Sequence, residues 1–145
     1  MEIRLAYQND FIQIAGLMAQ LNPGDPALSE KDLNVFYEIL NSNHLKLLVA
    51  EENGKLVGSC YLNIILNLTR GTRPYSVIEN VITDENHRKK GIGIALVNKA
   101  IEISKTNRCY KIMLMSGRKD ESVRAFYKKC GFSDDQKQAY ILRTH

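Results

Sequence analysis

A short basic segment with two glycines, Arg88-Lys89-Lys90-Gly91-Ile92-Gly93, stands between an apolar strand-like run and a run with helical periodicity. The first turn of a helix leaves several backbone N–H groups without partners and carries a partial positive charge. Glycine lets a bound group approach the backbone closely. Together these features predict a cradle for an anion at the start of the helix.

Two common phosphate-binding patterns do not describe this segment. A dinucleotide-binding loop needs G-x-G-x-x-G, but Leu96 stands at the third glycine position. A P-loop needs G-x-x-x-x-G-K-[ST], which is absent. Because a basic run by itself is also typical of a solvated loop, the identity of the anion depends on the rest of the chain.

The elements around the segment follow from hydrophobic periodicity and turn residues. Their order is β-α-α-β-β-β-α-β-α-β, with antiparallel hairpins in the middle and a right-handed parallel crossover between the fourth and fifth strands. This order predicts one domain, residues 1–145, in which helices cover both faces of a mixed sheet. The predicted strands are Glu2–Tyr7, Leu45–Ala50, Lys55–Leu66, Tyr75–Thr83, Cys109–Met115 and Lys137–Arg143, and the predicted helices contain Phe11–Leu21, Leu33–Leu40, Ile94–Ser104 and Val123–Cys130.

The pattern R-x-x-G-x-G between a strand and a helix resembles the signature of the GNAT superfamily of N-acetyltransferases. Downstream, Asp120–Phe132 resembles the second motif of that family, a helix ending in F-Y-x-K-x-G-F. The element order matches over the whole chain. The resemblance implies the GNAT fold, an α/β (α+β) architecture with a mixed, mostly antiparallel sheet of about six to seven strands and a central parallel crossover.

The resemblance also implies acetyl-CoA as cosubstrate, with its pyrophosphate on backbone N–H groups of the glycine segment and its pantetheine arm along a strand edge. The Val81 N–H is expected to polarise the thioester carbonyl. Asp120 stands where the family often has an asparagine that reaches the cofactor; it is also a good helix N-cap, which we favour. The cofactor-binding residues expected on this basis are Val81, Ile82, Thr83, Arg88, Lys89, Lys90, Gly91, Ile92, Gly93, Ile94 and Asp120.

Two side chains are candidates for proton transfer. An alkyl ammonium has a pKa of about 10.4, so fewer than about one molecule in a thousand is neutral at pH 7 and a base is needed. Glu79 is the candidate base, because a carboxylate in an apolar strand is costly unless it is employed or paired; a paired or solvent-facing Glu79 is the alternative. Tyr127 matches the family's tyrosine that donates to the departing thiolate, and a core aromatic is the alternative.

The acceptor is expected to be a primary amine, and a small metabolite more than a protein. Ile78–Thr83, Cys109–Ile112 and Phe126–Phe132 are similar to glucosamine-6-phosphate N-acetyltransferases, although the first two helices show no such match. Arg70 and Arg73 could clamp a substrate phosphate or carboxylate, or form a solvated basic turn. A non-catalytic acyl-CoA sensor, a protein N-acetyltransferase and a nucleic-acid-binding domain remain alternatives.

Composition limits the other classes of partner. The net charge is +4, from 20 basic and 16 acidic residues, which permits an anionic ligand without requiring nucleic acid. The cysteines, Cys60, Cys109 and Cys130, are predicted to be free, buried thiols, and no spacing of Cys or His residues resembles a metal site. Neither a signal peptide nor a membrane span is predicted. We expect a cytoplasmic protein and, because many relatives are dimers, a homodimer.

Overall fold

The computed structural model describes residues 1–144, which form a five-stranded sheet and four α-helices. The strands lie in the order β1-β2-β3-β4-β5; neighbours from β1 to β4 are antiparallel, whereas β4 and β5 are parallel. The chain divides into two compact units, one of residues Met1–Leu114 and one that begins at Met115. The strands are β1 Glu2–Leu5, β2 Leu45–Glu52, β3 Lys55–Ile65, β4 Tyr75–Thr83 and β5 Ile112–Leu114, and the helices are α1 Phe11–Leu21, α2 Leu33–Asn41, α3 Ile92–Thr106 and α4 Glu121–Lys129.

Helices cover both faces of the sheet in the first unit. On one face, α1 and α2 pack over a core that includes Val49 and Ile82, and the rings of Phe11 and Phe36 lie 5.2 Å apart. The other face carries α3. There Gly58 of β3 lets the helix approach so closely that an added Cβ would stand 3.0 Å from side-chain atoms of Ile92 and Leu96. The mixed sheet and the strand–helix–strand crossover are confirmed.

The prediction of six to seven strands is wrong, since the described residues contain five. The expected last strand, Lys137–Arg143, has no strand conformation. Its apolar residues Tyr140, Ile141 and Leu142 are 88%, 76% and 90% exposed. A strand needs a neighbour for its backbone N–H and C=O groups, and no ladder to residues 137–143 is found in the part of the chain that the structure describes. Apolar residues alone therefore gave a false strand signal here.

Candidate active site

The glycine segment turns directly into α3, and Gly91 is the N-cap of that helix. Its φ of +80° is left-handed, a conformation that glycine adopts without a steric penalty. The first intrahelical bond runs from Ala95 N–H to Gly91 C=O, at 3.0 Å. The helix begins at Ile92, two residues before the predicted start, so Ile92 and Gly93 belong to its first turn. Their N–H groups have no acceptor within the helix.

The geometry of the segment fits a diphosphate. Apart from Gly91, its two chain neighbours and the adjoining helix backbone, no atom lies within 4 Å of the position where a Cβ on Gly91 would stand, so this side of the turn is open. The side chains of Arg88, Lys89 and Lys90 are exposed and give the opening a positive potential. Backbone donors, open space and positive charge are the chemistry that holds a phosphate group at a helix N-terminus.

The turn before the segment is built around the buried carboxylate of Asp84, which is 5% exposed. Gln20 Nε2 donates to Asp84 Oδ2 at 2.9 Å, and His87 Nδ1 lies 2.6 Å from Asp84 Oδ1. The hydrogen bonds from Gln20 and His87 lower the pKa of Asp84 to about 2. An ionised carboxylate can only accept, so the Nδ1 atom of His87 carries the proton in this pair. This cluster was not predicted from sequence, because Gln20 stands 64 residues before Asp84.

Strand β4 extends beyond the end of β5. The two strands pair only at Ser76–Ile78, while β4 continues to Thr83. Within the first unit, the edge of residues 79–83 that faces away from β3 therefore forms no strand ladder. Its backbone N–H and C=O groups can pair with an extended ligand as a strand would. Val81, Ile82 and Thr83, predicted from sequence to line the pantetheine arm, lie on this edge.

A β-bulge interrupts β4 just beyond the residues that pair with β5. Tyr61 pairs with Glu79 and Ser59 with Ile82, so two residues of β4 stand opposite Cys60 alone. Asn80, one of the two, has a φ of +52°. Bulges re-aim neighbouring groups and are frequent beside active sites. The only sequence signal was the residue type, since asparagine tolerates left-handed φ better than most residues.

The side chain of Glu79 is exposed. This exposure matches the solvent-facing alternative, so the cost of a carboxylate in an apolar strand no longer argues for a catalytic role, and Glu79 as the base stays a prediction. The residue opposite it on β3, Tyr61, is half-buried, and burial raises the pKa of its phenol. The pair places a carboxylate and a neutral hydroxyl group on adjacent strands.

Arg70 and Arg73 lie at the other end of β4. That strand has nine residues, or about 27 Å from Tyr75 to Thr83 at the usual rise. Arg73 donates to the carbonyl oxygens of Arg108 and Cys109, at 3.1 and 3.4 Å. The guanidinium of Arg70 stands 5.6 Å from the ring centre of Tyr110. Within the first unit, the structure thus brings the glycine segment and residues 79–83 of β4 together, but places the two arginines at the other end of that strand.

In the second unit, Asp120 caps α4, as favoured from sequence. Its Oδ1 atom accepts from Val123 N–H at 3.1 Å, and its Oδ2 atom pairs with Arg118 at 3.0 Å. Hydrogen bonds from Ser122 and from the Val123 amide lower the pKa of Asp120. The carboxylate is thus committed to the helix start, and contact with a cofactor stays a prediction.

The F-Y-x-K-x-G-F motif forms the end of α4. Gly131, at φ +93°, donates to Lys128 C=O at 2.9 Å, and Phe132 N–H donates to Tyr127 C=O at 3.1 Å. This pair of bonds is a Schellman motif, which requires the left-handed glycine. The rings of Phe132 and Phe126 lie edge-on to Tyr127, at 6.2 and 4.9 Å between centres. The motif therefore fixes the orientation of a half-buried tyrosine.

The three thiols are free, but only Cys60 is fully buried. Burial raises the pKa of Cys60 to about 12 and also raises the pKa values of Cys109 and Cys130. Thiols with raised pKa values are poor nucleophiles at neutral pH.

Among residues 1–144, no group of three or more Cys, His, Asp or Glu side chains could hold a metal ion. No helix in the described chain has the length and apolar character to cross a membrane.

Comparison with known proteins places these features in a family. Residues 13–132 match the model of the acetyltransferase (GNAT) family. Glucosamine 6-phosphate N-acetyltransferase of Trypanosoma brucei brucei is 31% identical over 140 residues, which are 95% of this chain and 92% of that protein.

Solved structures agree over the full length. A proposed acetyltransferase from Agrobacterium tumefaciens strain C58 superposes with a TM-score of 0.96 at 41% identity, covering 99% of this chain and 100% of that one. The glucosamine-6-phosphate N-acetyltransferase of Arabidopsis thaliana gives a TM-score of 0.85 at 25% identity, with 97% of each chain covered. The chain therefore belongs to the GNAT family and is an N-acetyltransferase, the enzyme class that the resemblance of its R-x-x-G-x-G and F-Y-x-K-x-G-F motifs predicted.

Proposed function

We propose that this enzyme transfers an acetyl group from acetyl-CoA to the primary amine of a small molecule by direct attack. The observation that carries the proposal is the pairing of two features on one stretch of chain. A strand edge without a ladder partner in the first unit, residues 79–83, leads through the Asp84 turn into the cradle at Gly91. Acetyl-CoA has the matching parts, a diphosphate next to an amide-containing arm.

Each residue group has a distinct task in this proposal. The coenzyme supplies the activated acetyl group as a thioester. The amides from Arg88 to Ile94 bind its diphosphate, and the edge from Val81 to Thr83 aligns its pantetheine arm. The Val81 N–H donates to the thioester oxygen as negative charge develops there. The raised thiol pKa values in this chain favour direct attack over a covalent cysteine intermediate.

Proton transfers are assigned to two side chains. Glu79 accepts the ammonium proton through water, which its exposure permits. Tyr127 donates a proton or a hydrogen bond to the departing thiolate. A phenol with a pKa of about 10 is neutral at pH 7 and can donate to a thiolate whose acid has a pKa of about 8.5. The rings of Phe126 and Phe132 support this role because their edge-on contacts hold the ring of Tyr127 in one orientation.

The acceptor class is supported by the relatives. Proteins similar to this chain are named glucosamine 6-phosphate N-acetyltransferases, and another, 31% identical over 101 residues, is named streptothricin acetyltransferase A. These names share an amine on a small polar molecule. An amino sugar phosphate is accordingly the first acceptor to test.

An amine panel with a thiol-release readout tests the proposal. The purified chain is incubated with acetyl-CoA and, in turn, glucosamine 6-phosphate, glucosamine, an aminoglycoside and a lysine-containing peptide. Acceptor-dependent thiol release with one of the three small amines, and a mass increase of one acetyl group on that amine, is the expected result. Release with the peptide alone would replace the small-molecule acceptor by a protein. Tight acetyl-CoA binding without release for any amine would favour the non-catalytic sensor.

A further inference from the structure

One glutamine of α1 ties that helix to the turn in front of the glycine segment. Gln20 Nε2 donates to Asp84 Oδ2, and Gln20 Oε1 accepts from Glu85 N–H, both at 2.9 Å. The side-chain amide of Gln20 therefore forms hydrogen bonds with both a side chain and a backbone group of the same turn. Because Asp84 is buried, water competes weakly for this contact.

Asp84 also connects the turn to the sheet. Its backbone N–H donates to Val57 C=O at 2.9 Å, and its Oδ1 accepts from Asn86 N–H at 3.2 Å and from the ring of His87. After His87 come the exposed side chains of residues 88–90, and the next regular hydrogen bond is the first one of α3. The entry to the cradle is thus fixed at Asp84 and Glu85, and its exit is fixed by the helix.

We propose that Gln20 is a positioning residue for coenzyme binding, which holds the entry to the cradle through Asp84 and Glu85. The inference rests on the proposed function, in which that cradle binds acetyl-CoA. A loop that is ordered before binding spares the ligand the cost of ordering it. Loss of the Gln20 contacts should therefore weaken the affinity for the coenzyme, while the chemistry at β4 stays in place.

The same helix offers a matched control. Gln13, also on α1, accepts from Leu56 N–H at 2.8 Å and donates to Gly54 C=O at 3.4 Å. It too bridges two polar groups with one amide, and it lines the same open groove of about 180 Å³ as Gln20. Its partners belong to the β2–β3 hairpin and not to the cradle. Gln13→Leu therefore removes an equivalent bridge while both hydrogen bonds between Gln20 and the Asp84 turn stay available.

The test is calorimetric titration of the full chain with coenzyme A and with acetyl-CoA. Gln20→Leu should raise the Kd about tenfold, the effect expected for losing a hydrogen bond to a charged group. Gln13→Leu should stay within about twofold of the wild type, as for most substitutions away from a site. Amide hydrogen exchange should speed up at residues 85–91 in Gln20→Leu alone.

A second variant separates the two contacts of Gln20. Gln20→Glu keeps an acceptor for Glu85 N–H but sets a second carboxylate against Asp84, so it should weaken coenzyme binding at least as much as Gln20→Leu. A wild-type Kd in both Gln20 variants, or an equal rise of the Kd in Gln13→Leu, overturns this inference and leaves the proposed function in place. If the wild-type chain binds no coenzyme, the proposed function fails and the inference with it.

Discussion

Replacing Gly91 by alanine separates the folding role of this residue from its binding role. An L-residue in the left-handed region costs roughly 1–2 kcal/mol, and the stiffer unfolded chain returns about 0.4–1 kcal/mol. Gly91→Ala should therefore lower the free energy of unfolding by about 1 kcal/mol, or the Tm by about 3 °C in a chain of this size. No internal clash adds to this cost, because the space around the new methyl group is open.

Binding should suffer much more than stability. The added methyl group would stand where the diphosphate is expected to approach, and loss of one charge-assisted hydrogen bond costs roughly 1.5–3 kcal/mol. The Kd for acetyl-CoA, measured by calorimetry, should rise about tenfold or more. Gly54→Ala is the matched control, since Gly54 has a φ of +77° and equally open space but lies in the β2–β3 turn. Equal stability losses with unchanged binding in both variants would refute the assignment of the cradle.

The remaining predictions concern four other residues. Asp84 has a folded-state pKa of about 2 against an ordinary 3.8, so its charge stabilises the fold by about 2 kcal/mol above pH 4, and this contribution is lost as the pH falls towards 2. In denaturant titrations, Asp84→Asn should therefore have a lower free energy of unfolding at pH 7 and a shallower loss of stability between pH 4 and 2. A pH dependence parallel to that of the wild type would contradict this. Gly58→Ala should lower the free energy of unfolding by about 1–3 kcal/mol, because the added Cβ would stand 2.9 Å from Ile82 C=O. Thermal melts measure this loss of stability, and an unchanged Tm would show that α3 can shift. Glu79→Gln should reduce turnover most at low pH, where fewer amines are neutral, and an unaltered pH–rate profile excludes Glu79 as the base. Tyr127→Phe should slow turnover while the Kd for acetyl-CoA stays unchanged, and full activity would remove the tyrosine from the mechanism.

The parts of the fold that sequence predicted well are those with strong local signals. Four helices and the hairpin at Asn53-Gly54 have clear periodicity or turn residues, and the structure places them as expected. The last strand failed because its exposed residues, from Tyr140 to Leu142, carry apolar character without a partner. Whether a segment forms a strand depends on a neighbour elsewhere in the chain, which local sequence does not specify.

The candidate site divides in the same way. The cradle could be predicted because glycines, basic residues and a helix start are contiguous in sequence. The bulge at Asn80 depends on register with β3, and the Asp84 cluster joins residues 64 positions apart. Glu79 was chosen because its strand is otherwise apolar, but its side chain is exposed. Long-range pairing and the exposure of individual side chains were therefore the missing information, and both require the three-dimensional fold.

The most direct test of the central claim is a backbone amide NMR titration with coenzyme A and, separately, with pantetheine, which lacks the diphosphate. We predict that coenzyme A shifts the amide signals of Gly91, Ile92 and Gly93 most strongly, whereas pantetheine affects only the edge of β4 around Val81. Bound coenzyme A that leaves the signals of residues 91–93 unshifted would contradict the account.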